Sequence, residues 1–161
     1  MQDRQQGLGV ILFTFAIAMA LMIIPLPNWA DAFRPAWVAM VLIYWCIALP
    51  SRVNIGLAWL IGLLVDIMVA TLLGQHAIAF AVIAFLAVKL HQQIRVYPLW
   101  QQSLSVFTLI ALGLLLNVWI LGIIGQAPKS WLYWAPAITS ALLWPWFYVL
   151  MRDLGRKFGV Q

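Results

Sequence analysis

Four acidic residues occur in this chain of 161, and all of them are aspartates. Three, Asp3, Asp31 and Asp153, lie outside or at the edge of the apolar runs, whereas Asp66 lies inside one, IGLAWLIGLLVDIMVATLL at 55–73. A single acid in apolar surroundings cannot provide paired-carboxylate chemistry, so neither a two-aspartate intramembrane protease nor an acid/base hydrolase can be built. His76 and His91 fall in loops on opposite sides of the membrane by the topology below and cannot share a metal. Gly7-Leu8-Gly9 lacks the flanking pattern of a phosphate loop. Cys46 lies within an apolar run and reads as a small buried residue rather than a reactive thiol. The residues specify no enzyme and call for no cofactor or metal.

Asp66 is then a structural or binding residue. An ionisable group at that depth costs at least roughly 2.5–3.5 kcal/mol unless it is paired, so it should face the protein interior or a wet cavity. On a helix it shares a face with Trp59, Gly62, Ala70 and Leu73, and the small residues one turn to either side would let a neighbouring helix come close. At about 1.5 Å per residue Asp66 lies roughly 10 Å below the outer end of its run. Tyr44, Asn117 and Thr139 fall at a similar depth in theirs, which predicts a buried polar layer, with Asn117 the first candidate partner of Asp66. The alternative is that each hydroxyl or amide bonds to its own helix backbone and Asp66 is simply protonated.

The elements that must hold these residues are membrane helices. Hydrophobic residues make up 66% of the chain and charged ones 8%, far outside the composition of soluble domains. The net charge of +5 is carried by scattered single residues, a pattern of membrane topology rather than of nucleic-acid binding. The hydropathy predicts one transmembrane domain over 1–161 with spans at about 8–24, 33–50, 55–73, 77–96, 103–124 and 131–150. The first run continues through Ile24, where a signal peptide would turn polar, so it reads as a retained helix. The second is short, with its fully apolar part confined to 36–49, and a re-entrant segment is its alternative. Gly74-Gln75-His76 makes spans 3 and 4 an antiparallel hairpin. With both termini inside, seven basic residues (Arg4, Arg52, Lys89, Arg95, Arg152, Arg156, Lys157) are cytoplasmic and two (Arg34, Lys129) are outside, the expected bias. Candidate helix contacts are the small-xxx-small pair Ala16 and Ala20, together with Gly56, Gly62 and Ala70. The segment His91 to Gln102 mixes apolar and polar residues and would lie on the interface or against a partner.

Phe33-Arg34-Pro35 with Trp37, Tyr44-Trp45 through Ala48-Leu49-Pro50-Ser51-Arg52-Val53-Asn54, Gly62 with Asp66, Leu73-Gly74, and Leu143-Trp144-Pro145-Trp146 with Met151-Arg152 give the chain its landmarks. On these residues it resembles the MreD family of rod-shape proteins of Gram-negative bacteria along essentially its whole length. The resemblance implies an all-α integral membrane protein of the bacterial inner membrane, a six-transmembrane-helix bundle like the substrate-binding subunit of energy-coupling-factor transporters. It also implies a non-enzymatic scaffold of the cell-wall elongation complex, binding MreC and acting with MreB, RodA and a class B penicillin-binding protein among membrane lipids. The alternative is a small-molecule or lipid-binding subunit of a transporter, using the Asp66 level. A scaffold should tolerate Asp66→Asn, whereas bulky residues at Ala16, Ala20 or Gly62 should break partner contact or the fold.

Overall fold

The computed structural model describes residues 2–160, which form seven α-helices and one 3-10 turn. They are α1 (Gln2–Ile23), α2 (Asn28–Asp31), α3 (Trp37–Ala48), α4 (Ile55–Val69), α5 (Gln75–Val96), α6 (Leu99–Ile123), the turn Trp131–Trp134, and α7 (Ala135–Lys157). α1, from Arg4 on, with α5 and α6, is long and apolar enough to cross a membrane, and α3 and α4 are shorter apolar helices. The sequence places helical runs where the six long or apolar helices form but misjudges several ends. Leu99 already starts α6, so Tyr97 and Pro98 are the whole connection from α5 and the expected interfacial segment at 91–102 is mostly helix. The basic residues after Leu150 are a continuation of α7 rather than a tail.

The shortest apolar run turns out to be the centre of the bundle. Every residue of α3 from Val38 to Ile47 is buried, and the helix packs against α1, α5 and α7. A helix that is apolar on all sides belongs inside a protein, which is why Ala36–Leu49 shows no amphipathic face in sequence. Its 12 residues span about 18 Å, short of the roughly 30 Å hydrocarbon core. Both ends therefore lie among protein groups. The Ser140 hydroxyl accepts from the Ala36 N–H (2.9 Å), and the Arg95 guanidinium donates to the carbonyls of Ile47 (2.5 Å) and Ala48 (3.1 Å).

The same economy governs the other helix ends. Away from water an open backbone group costs several kcal/mol, and the first four N–H and last four C=O groups of each helix lack helical partners. Arg34 donates to the carbonyls of Met22 and Ile24 (2.7 Å to Ile24) at the end of α1. Gln102 donates to Ile94 (3.1 Å) and Tyr97 (3.3 Å) at the end of α5, and its amide oxygen accepts from the Trp144 indole (3.2 Å), tying α5, α6 and α7 together. The Trp45 indole donates to Thr14 (2.9 Å), the polar tie between α3 and α1. Five polar side chains of the bundle, Arg34, Asp66, Arg95, Gln102 and Ser140, close the ends of helices.

Candidate functional site

Asp66 is the most heavily engaged of them. α4 stops at Val69 because Ala70 takes the left-handed conformation (φ 55°, ψ 40°), four residues before the predicted end of the span. The chain then doubles back over Asp66, turns at Gly74 (φ 101°) and enters α5. One carboxylate oxygen accepts from the His76 backbone N–H (2.8 Å), the His76 ring Nδ1–H (2.7 Å) and the Thr71 hydroxyl (3.0 Å). The other accepts from the N–H groups of Gly74 (2.8 Å) and Ala77 (3.4 Å). Asp66 thus supplies from the preceding helix the acceptors that the first turn of α5 lacks, and a carboxylate at a helix N-terminus also meets its positive dipole end. Three of the five contacts are backbone N–H groups, which can only donate, so both carboxyl oxygens serve as acceptors.

This corrects the predicted layer. Asp66, Tyr44, Asn117 and Thr139 do not come together around the acid. Thr139 donates to its own helix at Ala135 (2.9 Å), the alternative considered for it. Tyr44 is buried edge-on between Trp45 and Tyr148, beside Arg95 at the far end of α3. Equal distance along each helix does not put residues on facing sides, and the depth arithmetic carried no rotational information. Of the proposed helix contacts, Gly62 is buried, and a side chain there would collide with the Ala77 backbone and lie 2.7 Å from the His76 carbonyl. Gly56, Ala16, Ala20 and Ala70 are exposed, and Ala70 serves as the α4 cap. The buried face of α4 is Ala58, Ile61, Gly62, Val65 and Asp66, while Trp59 and Leu73 point outward.

His76, missed as a site residue in the sequence, is held by Asp66 at the rim of a cavity of about 530 Å³. The signal was present as an aspartate followed by a tight Gly-x-His turn. The cavity lies at the end of the bundle that carries Arg34, and residues from α1, α3, α4, α5, α6 and α7 contribute to it. Its walls are largely apolar, among them Val38, Val65, Phe80, Ile83 and Ile110, with Asp31, Arg34, His76, Asn117 and Tyr133 among its polar points. The Tyr133 hydroxyl donates to the Leu114 carbonyl (3.3 Å) and the Asn117 side chain hydrogen-bonds Tyr133. Gly113 borders the cavity where α6 meets α5, and a side chain there would press on the Ile83 tip at 2.8 Å. The volume falls in the range of small-molecule sites, about 300–1,000 Å³.

Comparison with known proteins places the chain. The profile of the family described as rod shape-determining protein MreD matches residues 3–154. The rod shape-determining protein MreD of Haemophilus influenzae is 35% identical over 147 residues, covering 91% of each chain. No solved structure matches. The match runs over nearly the whole length of both proteins, and this helical membrane protein belongs to the MreD family, with a role in rod-shape determination.

Proposed function

We propose that the protein is a non-enzymatic scaffold of the cell-wall elongation complex in the inner membrane, binding the bitopic protein MreC and, through it or beside it, MreB, RodA and a class B penicillin-binding protein. The observation that carries this reading is the full-length match to the rod-shape family. The structure adds an economy consistent with it: Arg34, Asp66, Arg95, Gln102 and Ser140 are taken up by helix ends, leaving lateral helix faces as the working surface.

The proposed membrane arrangement has α1, α3, α4, α5, α6 and α7 crossing in alternating directions, with both termini cytoplasmic. Two of the charges behind that orientation are structural, because Arg34 and Arg95 cap helices inside the bundle. Setting both aside lowers the inside count from seven to six and the outside count from two to one, so the bias stands. On this arrangement the Arg34 end, with its cavity, faces the periplasm.

The test is complementation combined with capture. In rod-shaped cells depleted of their own MreD, expression of this chain at native level should restore rods, and mild-detergent purification should recover MreC. Round cells despite normal protein levels, or recovery of nucleotide-binding-cassette ATPases with a membrane coupling subunit, would replace the scaffold with the transporter-subunit reading.

A further inference from the structure

We propose that the cavity at the Arg34 end binds a membrane lipid with an uncharged, hydroxyl-bearing polar end. Asn117 is only 7% exposed, and its side-chain oxygen has no hydrogen-bond partner although it borders the cavity. Its bond to Tyr133, whose own hydroxyl donates to Leu114, uses the amide N–H and leaves the oxygen as the open group. Arg34 Nε is likewise buried without a partner on the same cavity. Leaving such groups unmatched is costly away from water, and an occupant that offers one donor and one acceptor removes both costs.

The charges on the wall argue that the occupant is neutral. Arg34 is matched by Asp31 (2.9 Å) and by carbonyls of α1. The buried open groups on this wall are thus one acceptor and one donor, the complement of a hydroxyl or of a glycerol ester end. The apolar walls suit a hydrocarbon body, since Val38, Val65, Phe80 and Ile110 bring no polar side-chain atoms to it. His76 adds a further polar point at the rim, with its Nδ1–H already given to Asp66.

The experiment uses the full-length protein in nanodiscs containing a long-chain monoacylglycerol with a photoreactive diazirine in its acyl chain. Labelled peptides are mapped by mass spectrometry, with unlabelled monoolein or oleate as competitor. Labelling should map to 37–39 and 110–117 and should be competed by monoolein but not by oleate. Asn117→Leu, which removes the open oxygen at similar volume, should cut that labelling about tenfold without lowering the melting temperature of the lipid-free protein. Labels confined to outward-facing helix surfaces, equal competition by oleate, or undiminished labelling of a folded Asn117→Leu variant would overturn the proposal. The competition on the unmodified protein decides the matter even if the variant does not fold.

Discussion

At the scale of single residues, the deciding feature is that Asp66 accepts with both oxygens. A neutral amide has one acceptor, and its NH2 group would face N–H donors wherever it is turned. The expectation that Asp66→Asn is harmless rested on a neutral group replacing a protonated acid, whereas three backbone N–H groups, a hydroxyl and an imidazole nitrogen meet the two oxygens. One side-chain hydrogen bond within a membrane protein contributes about 0.6 kcal/mol on average, but an N–H left buried and unpaired costs roughly 1–3 kcal/mol. The second effect should win. Asp66→Asn is expected to lower the melting temperature in detergent clearly, Asp66→Ala further, and Thr71→Ala least, because a hydroxyl that loses its acceptor disappears with the substitution itself. A melting temperature of Asp66→Asn equal to that of the parent would mean that the carboxylate is not what closes α5. That an acid was buried in the third span was legible from its surroundings. Its partners were not, because they are mostly backbone N–H groups; Gly74 announces the turn, but no residue type announces the left-handed Ala70 (φ 55°) that brings those groups back over the acid.

Between elements, the hairpin of α4 and α5 depends on two residues one turn apart. Gly62 lets the α5 backbone come close enough that Asp66, four residues on, reaches its first N–H groups. A side chain at 62 would sit 2.6 Å from the Ala77 nitrogen, and because the obstructing atoms are backbone, the helices must separate. Gly62→Ala should therefore destabilise the protein strongly, and Gly62→Val should abolish the folded yield. Combined with Asp66→Asn, Gly62→Ala should cost less than the sum of the two, since a displaced α5 no longer presents its donors; strict additivity in thermal melts would show that the two residues act independently. α3 makes the complementary case. Arg95→Ala leaves two carbonyls of a buried helix open and should lower stability, and Arg95→Lys should recover only part, because a guanidinium reaches two carbonyls in a fixed fork and an ammonium is a point charge. In sequence Arg95 read as a topology charge, and the short second span as a weak crossing. Both follow from one arrangement that hydropathy cannot display: a helix wrapped by others needs neither length nor an amphipathic face, but needs its ends closed.

For the whole molecule, the question is which surface meets another protein. Lipid tails are as apolar as leucine, so exposed Leu and Ile on the outer faces carry no information about partners; small residues that allow close backbone approach do. α1 packs chiefly on α3 through Ile11, Thr14, Phe15 and Ala18, and turns Ala16 and Ala20 outward. The pair that the sequence offered as a helix contact is thus not used within the chain, and the proposed scaffold gives it a use, as the seat for the single transmembrane helix of MreC. Both positions are exposed, so larger side chains there extend away from the bundle. Ala16→Phe with Ala20→Phe should leave the melting temperature unchanged while reducing MreC recovery about tenfold, equivalent to about 1.4 kcal/mol, and should fail to restore rod shape. Ala18→Phe, placed on the buried side of the same helix, should instead unfold the protein, which separates loss of contact from loss of fold. If the double variant binds MreC and restores rods as well as the parent, the α1 face is excluded. The interface would then have to be sought on the outward side of α4, where the small residues Gly56 and Ala70 are exposed at the two ends of the helix that Asp66 and Gly62 hold in place.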